Sequence, residues 1–309
     1  PYIDRVIPFP IRELRRDRRQ LLTMWETVAD LRAIRLCHVL NLYLVGSYLG
    51  ALKMGLLFSF LNSRLKGGHD AFGFGRFLSQ RVPEDTFMKQ HYVDAMCEIA
   101  ELTGAKRDNG GLDIYWDRRC EDKWRRYCDH AHDTILIGIH SGGDRANRRW
   151  HPDHFGEVAQ KLLQDYPSQI ILLGGPGEES LARQVASHLP SSRVTNLAGQ
   201  ISLHELCYVI SRLRLLITND SGPMHIAAAA GTPVAAIFGP ENPLNLRPYT
   251  DKALYRTIYK DVPCRPCRKE GCDAPECLSL IVPEDVYPQC RALIDESTNI
   301  KQIKSETDG

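Results

Sequence analysis

The sequence predicts an α/β fold with parallel sheets, divided between two domains. The chain is 309 residues long, which favours two domains of roughly 150 residues over a single core. From Thr134 onward, short apolar runs alternate with segments of helical period. This alternation is typical of βαβ units, whose parallel sheet carries helices on both faces. The first half repeats it less regularly, and we place the boundary near Ala131, giving domains 1–131 and 132–309.

In the first half, a strand is predicted at Arg5–Pro8 and a helix from Ile11 to Arg32. The apolar stretch from Val39 to Leu61 is long enough to suggest a membrane span, but polar residues and glycines interrupt it. We therefore predict a strand at 37–45 and a helix at 48–61, which Ser47 can cap. A Gly- and Phe-rich loop is expected at 67–85, and a helix at 89–102.

In the second half, the predicted elements follow one another with short connections. The polar, charged stretch 117–133 has few apolar positions and is expected to cross between the domains. The predicted strands are 135–139, 170–173, 215–218 and 234–238, and the predicted helices are 152–165, 178–189, 203–212 and 223–230.

Charge and cysteine usage limit the classes of function. Lys and Arg total 39 and Asp and Glu total 38, a net charge of +1, so no nucleic-acid partner is expected. Ten cysteines, half of them scattered among apolar or amphipathic segments, are typical of reduced thiols in the cytoplasm. The chain begins at Pro1 with no signal-peptide pattern. The first residues have the pattern of the start of a strand, so an upstream segment is expected.

The segment from Leu215 to Phe238 predicts an anion site. A strand ends at Thr218, a tight turn follows, Pro223 occupies the first helical position, and Gly231 ends the helix. Backbone N–H groups and the positive end of the helix dipole then meet at the mouth of the sheet, where a phosphate would bind. His225, one turn in, can add a donor. The alternative is an ordinary helix cap with a solvated His225.

Several motifs together resemble the lipopolysaccharide heptosyltransferases, glycosyltransferase family 9. These motifs are Asp-Ser-Gly-Pro-Met-His at 220–225, Gly-Thr-Pro at 231–233, Phe-Gly-Pro at 238–240, Gly-Ile-His-Ser-Gly-Gly at 138–143 and Gly-Gly-Pro-Gly-Glu at 174–178. The resemblance implies a GT-B fold of two facing Rossmann-like domains, the first incomplete at its N-terminus. It also implies transfer of heptose from ADP-heptose to an anionic glycolipid acceptor, without metal or other cofactor, in the cytoplasm. It allows peripheral contact with the inner membrane.

The resemblance also implies roles for single residues. Arg148, where the family usually has Lys, and His225 would stabilise the leaving diphosphate, and Glu178 would accept the ribose hydroxyls. Ile201 would lie against the base. The full donor-binding set is Ser141, Gly142, Gly143, Arg148, Glu178, Ile201, Asp220, Ser221, Gly222 and His225. The catalytic base of the family, an Asp, would lie upstream of Pro1. Taken alone, the Gly-rich loop at 174–177 is ordinary turn chemistry, and Arg148 with Arg149 is a solvated pair.

A basic segment near the N-terminus is a candidate acceptor site. Five arginines lie within residues 11–19, and Arg presents a fork of donors that fits carboxylate and phosphate oxygens. Arg12, Arg15 and Arg16 match the positions that meet the acidic acceptor in the heptosyltransferases. The alternative is a solvated helix face.

Four cysteines close in sequence raise the question of a zinc site. Thiolates at such density can close a tetrahedron, but a single CxxC with irregular partners is weaker evidence than two paired motifs. Free thiols or a disulfide are favoured, and no metal is expected. The residues are Cys264, Cys267, Cys272 and Cys277.

Two other functions remain open at this point. A nucleotide-sugar epimerase would share the two-domain shape, although no extra carboxylate pair for acting on the sugar ring is visible. A non-catalytic nucleotide-sugar-binding relative would keep the donor site alone.

Overall fold

The computed structural model describes residues 6–7, 19–34, 36–83, 89–108, 110–129, 134–267, 272 and 275–307. The chain divides into two compact units, Pro1–Asp108 and Asn109–Gly309. Of the predicted strand at Arg5–Pro8, only Val6 and Ile7 are described, and they are not in a strand. The start of the predicted helix at Ile11 and the acceptor candidates Arg12, Arg15 and Arg16 lie outside the described residues.

The first unit contains a three-stranded parallel sheet in the order β1-β2-β3. Its strands are β1 (Leu36–Asn41), β2 (Ser63–Asp70) and β3 (Gln80–Pro83), and its helices are α1 (Arg19–Ala33), α2 (Tyr48–Phe60) and α3 (Tyr92–Glu101). The strand and helix predicted across 37–61 are thus confirmed, and the Ser47 side chain caps α2 by accepting the Gly50 N–H. No helix among the described residues is both long and apolar enough to cross a membrane.

The loop predicted at 67–85 is wrong at both ends, because β2 runs through Asp70 and β3 begins at Gln80. Gly67 and Gly68 pair in register with Leu40 and Asn41 of β1. A Cβ at Gly68 would come within 3.0 Å of the Asn41 carbonyl oxygen, so the strands approach closely here. Glycine is depleted in strands, which is why composition alone indicated a loop.

The second unit contains a six-stranded, all-parallel sheet in the order β6-β5-β4-β7-β8-β9. Its strands are β4 (Ile135–His140), β5 (Ser168–Leu173), β6 (Val194–Asn196), β7 (Leu215–Asn219), β8 (Val234–Ile237) and β9 (Tyr255–Ile258). Its helices are α4 (Arg118–Asp129), α5 (Pro152–Asp165), α6 (Glu179–Ala186), α7 (Leu203–Ser211), α8 (Gly222–Ala230), α9 (Pro243–Leu246), α10 (Glu276–Ser279) and α11 (Pro283–Thr307).

Both faces of this sheet are covered. Successive side chains of β4 alternate between two apolar clusters: Ile137 and Ile139 pack with α5, α6 and α11, whereas Leu136 packs with α7 and α8. Because side chains of a strand point alternately to opposite faces, a sheet buried on both sides requires continuous apolar runs. The four runs predicted as strands are β4, β5, β7 and β8.

Helix α4 replaces the predicted crossing stretch and places the unit boundary earlier than Ala131. Its Trp124 indole donates to the Glu205 carboxylate of α7 at 3.0 Å, and Cys120 and Cys128 are buried in the cluster shared with α7. One apolar face is enough to dock a helix, so the high charge of residues 117–133 concealed an amphipathic helix that belongs to the second unit.

The order of strands defines where a ligand can enter. Strands β4, β5 and β6 run outward in one direction and β7, β8 and β9 in the other, so the order reverses between β4 and β7. In open parallel sheets the connections after these two strands diverge to opposite faces, leaving a crevice at their carboxyl ends.

Candidate functional site

A cavity of about 490 Å³ occupies the crevice beyond the carboxyl ends of β4 and β7. It contains polar and charged groups from loops that are distant in sequence. Its lining residues are His140, Gly143, Asp144, Arg148, Gly174, Gly175, Glu178, Leu206, Asp220, Ser221, Gly222, Pro223, His225 and Leu246.

The N-terminus of α8 contributes one wall. Pro223 lies in the first turn, and Gly231 ends the helix in the left-handed conformation with φ 69°, which glycine adopts without steric cost. Ser221 precedes the helix but does not cap it with its side chain. The positive end of the helix dipole therefore faces the cavity, an arrangement that favours an anion.

Glu178 ties two loops together at the opposite wall. Its carboxylate accepts the Gly143 N–H at 2.8 Å and the Gly175 N–H at 2.7 Å, and lies 3.2 Å from His140 Nε2. Burial acts to raise the Glu178 pKa, but the hydrogen bond with His140 and those from the two glycine amides outweigh it and lower the pKa to about 2. Glu178 is therefore ionised and accepts hydrogen bonds only.

Asn219, the last residue of β7, holds the first of these loops against the sheet. Its side-chain amide donates to the Ser141 and Gly142 carbonyls at 3.0 and 2.9 Å, and its carbonyl oxygen accepts the Trp150 N–H at 2.9 Å. The amide nitrogen and the carbonyl oxygen of this buried side chain are thus both hydrogen-bonded to backbone groups. The residue fixes the backbone rather than meeting a ligand.

A cluster of charges surrounds Arg148. Its guanidinium is hydrogen-bonded to Glu241 and lies 3.9 Å from Asp144. Asp220 is only 6% exposed, and its Oδ2 atom has no hydrogen-bond partner among the described residues. Burial raises the Asp220 pKa to about 6; Arg148 opposes the rise, and Glu241 and Asp144 add to it.

The structure brings most of the predicted donor residues to one cavity. Gly143, Arg148, Glu178, Asp220, Ser221, Gly222 and His225 all line it. Ser141 and Gly142 are buried behind it. Ile201 does not line the cavity, because it packs against the apolar cluster beneath α7 and α8. The apolar part of the lining comes instead from Leu206 and Leu246.

Several residues of the site were not identified from the sequence. His140 and Asn219 end β4 and β7, so their position at the carboxyl ends of neighbouring strands was the available signal. Glu241 follows the Phe-Gly-Pro motif directly, and nothing in its local sequence indicates its ion pair with Arg148, 93 positions away in the chain.

All four thiols of the cysteine cluster are in the described part of the chain. No group of three or more His, Cys, Asp or Glu residues there is placed to hold an ion. Cys264, Cys267, Cys272 and Cys277 are free cysteines, and burial raises the pKa of the Cys277 thiol.

Comparison with known proteins gives one consistent family. The model of glycosyltransferase family 9 (heptosyltransferase) matches residues 45–278. The chain is 29% identical over 168 residues to a lipooligosaccharide heptosyltransferase 2 of Campylobacter jejuni, covering 52% of each protein. It is 33% identical over 212 residues to lipopolysaccharide heptosyltransferase 3 of Escherichia coli K12, covering 67% of this chain and 60% of that protein.

The fold has the same counterpart among solved structures. An Escherichia coli ADP-heptose LPS heptosyltransferase II matches with a TM-score of 0.67 at 20% identity, over 94% of this chain and 83% of that one. At this identity the match establishes the fold, a GT-B arrangement of parallel sheets. The chain spans about half the length of the Campylobacter relative.

Proposed function

Because this chain belongs to glycosyltransferase family 9, the heptosyltransferase family, we propose that it transfers heptose from ADP-heptose to a lipopolysaccharide-core acceptor. We place this reaction at the cytoplasmic face of the inner membrane. The relatives named above are heptosyltransferases, and the solved counterpart is an ADP-heptose LPS heptosyltransferase.

One observation of the site carries the proposal: a single cavity has separate features for the two ends of a nucleoside diphosphate. The α8 N-terminus and Arg148 favour the diphosphate, since both present positive charge and donors. Glu178 presents a carboxylate, which can accept hydroxyls of the ribose. Leu206 and Leu246 offer apolar surface to the base.

The proposed reaction is one-step sugar transfer without a metal ion. A base deprotonates the acceptor hydroxyl, and the glycosidic bond to the diphosphate breaks as the new bond forms. Negative charge then grows on the leaving diphosphate, where Arg148 and His225 stabilise it more in the transition state than in the ground state. Arg148 is bonded to Glu241 here, so the diphosphate must compete with that carboxylate.

The test is transfer by the full protein from a panel of ADP-, UDP- and GDP-activated sugars to a purified core acceptor, with and without EDTA. We expect product with ADP-heptose that is unaffected by EDTA, and calorimetric binding of ADP. Binding of ADP without transfer to any core acceptor would instead indicate a non-catalytic relative. Conversion of the free donor to an epimer would indicate the epimerase.

A further inference from the structure

A buried chain of hydrogen-bonding groups joins the two walls of the cavity. His140 is only 5% exposed. Its Nε2 atom lies 3.2 Å from Glu178, and its Nδ1 atom lies 3.2 Å from the Ser221 hydroxyl and 3.3 Å from the Thr218 hydroxyl. The ring thus connects the carboxylate that holds the glycine loops with the residue that precedes α8.

The chemistry of Glu178 decides which ring nitrogen carries the proton. An ionised carboxylate only accepts, so a His140 ring that carries a single proton holds it on Nε2 and donates it to Glu178. Nδ1 is then an acceptor, and because it is buried it needs one hydroxyl proton.

Two hydroxyls compete for that nitrogen. The Thr218 and Ser221 oxygens lie 3.1 Å apart, and each also reaches the Asn219 carbonyl, at 3.0 and 3.1 Å. They differ in position: Thr218 is fully buried in β7, whereas Ser221 lines the cavity. Only Ser221 can turn its proton toward a ligand.

We propose that Thr218 is a positioning residue that keeps His140 Nδ1 paired, so that the Ser221 hydroxyl can donate to a diphosphate oxygen in the cavity. The two hydroxyl protons can serve two buried acceptors, Nδ1 and the Asn219 carbonyl. When Ser221 turns to the anion, Thr218 remains within reach of Nδ1. The inference rests on the proposed function, since it takes the diphosphate of the donor as the ligand.

The experiment is a double-mutant cycle read by calorimetric binding of ADP and of inorganic pyrophosphate. Thr218→Val removes the hydroxyl and keeps the shape of the side chain, so Nδ1 can then be paired only by Ser221. We expect about two- to tenfold weaker binding of both probes, the range for one neutral hydrogen bond. In the Ser221→Ala background the same change should have no further effect, because there is no hydroxyl left to compete for.

Thr232→Val is the matched control. Thr232 is also a buried threonine of this unit, its hydroxyl donates to the Ile210 carbonyl at 2.8 Å, and it does not line the cavity. It should leave both affinities unchanged. Thr218→Ser, which restores a hydroxyl, should recover wild-type binding.

Equal losses from Thr218→Val in the wild-type and Ser221→Ala backgrounds would overturn the inference, because they would indicate a purely structural role. If ADP binds but the two substitutions show no coupling, the inference fails and the proposed function stands. If pyrophosphate binds with coupling but no sugar is transferred, the inference stands and the proposed function fails. A wild type that binds neither probe overturns the inference directly.

A measurement on the unmodified protein covers the case in which Thr218→Val does not fold. Long-range proton–nitrogen NMR spectra of the histidine rings report which nitrogen is protonated. We expect His140 to carry its proton on Nε2, with a hydrogen-bonded Nδ1, both before and after pyrophosphate is added. A proton on Nδ1 in either state would overturn the inference.

Discussion

Asp220 places a carboxyl group beside the helix N-terminus that we assign to the diphosphate. Two anions would repel each other there, but burial already disfavours ionisation of Asp220 and raises its pKa to about 6. Near neutral pH a modest further rise, which a bound diphosphate would produce, keeps the group protonated. A protonated carboxyl can then donate a hydrogen bond.

Asp220→Asn should stabilise the protein in a pH-dependent manner. The Asp220 pKa is near 3.8 when unfolded and about 6 when folded. Well below pH 3.8 both states are protonated, whereas above pH 6 the folded state must hold a buried charge that the unfolded state exposes to water. The wild type therefore loses about 3 kcal/mol of stability across this window, and the variant does not.

The measurement is urea unfolding of both proteins at pH 3 and pH 8. The free energy of unfolding of Asp220→Asn relative to wild type should rise between the two values by that amount. Asp261→Asn, at an exposed site in the same unit, is the control and should show no such change. A constant difference between Asp220→Asn and wild type would contradict the burial argument.

Glu178→Gln should weaken ADP binding by about 1 to 2 kcal/mol, the scale of a charge-assisted hydrogen bond becoming neutral. The amide retains one acceptor oxygen, so it cannot accept the Gly143 and Gly175 N–H groups and His140 together. The folded pKa of Glu178 is depressed, so its contribution to stability is complete above about pH 4.5 and is lost as the pH falls toward 2.

Calorimetry with ADP and unfolding at pH 7 and pH 3 check both parts. Glu284→Gln is the control for ADP affinity, since this glutamate is exposed and pairs with Lys161 on the surface. If Glu178→Gln binds ADP as tightly as wild type does, Glu178 does not contact the ribose. If the difference in stability between the two proteins is the same at both pH values, the hydrogen bonds to Glu178 do not lower its pKa.

The conformation of the loop after β4 depends on the close approach of Gly142 to the side chain of Glu178. A Cβ added at Gly142 would lie 2.2 Å from the carboxylate of Glu178, well inside contact distance. The end of a glutamate side chain could usually move aside. Here it is held by His140 and two backbone N–H groups, so movement breaks hydrogen bonds.

Gly142→Ala should therefore lower the free energy of unfolding by about 1 to 3 kcal/mol, the range for overpacking, and weaken ADP binding at least as much as Glu178→Gln does. Gly111→Ala is the matched control, because a Cβ there meets no atom within 4 Å. Urea unfolding and calorimetry of the two alanine variants provide the comparison. Equal behaviour of the two would show that the loop tolerates the displacement of Glu178.

In the protein as a whole, we assign binding of the acceptor and binding of the donor to different groups of cationic side chains. Replacing Arg12, Arg15 and Arg16 together by Ala should raise the acceptor KM and leave ADP affinity unchanged, because contacts made away from the reacting atoms contribute binding that is uniform between ground and transition states. Replacing Arg148 or His225 by Ala should instead lower kcat about 10- to 1,000-fold, since charge on the diphosphate grows as the bond breaks.

Steady-state kinetics at two salt concentrations separate these effects, because exposed charges are screened as the Debye length shrinks. The acceptor effect of the triple variant should diminish at high salt, and the kcat effect of Arg148→Ala should persist. If the triple variant loses ADP binding, or shows no change in acceptor KM at low salt, the basic segment is not the acceptor site and the alternative of a solvated helix face holds.

The class of fold and half of the residues that line the cavity can be predicted from the sequence alone. Continuous apolar runs such as 170–173 and 215–218 become buried parallel strands because both faces of the sheet are covered. The Asp-Ser-Gly-Pro motif at 220–223 contains its own turn, helix start and helix dipole. These signals are local, carried by residues within a few positions of each other, and local sequence contains them completely.

The contacts between groups distant in sequence follow from the packed fold and not from any one segment. Three contacts join different loops in this way. Arg148 pairs with Glu241, His140 lies between Glu178 and Ser221, and the half-buried Ile201 packs against the apolar cluster instead of lining the cavity. The predicted loop at β2 and the predicted crossing stretch at α4 are wrong for the same reason. The stability of both elements comes from neighbouring elements rather than from their own composition. Contacts between residues far apart in the chain depend on strand order and packing, which no single segment encodes.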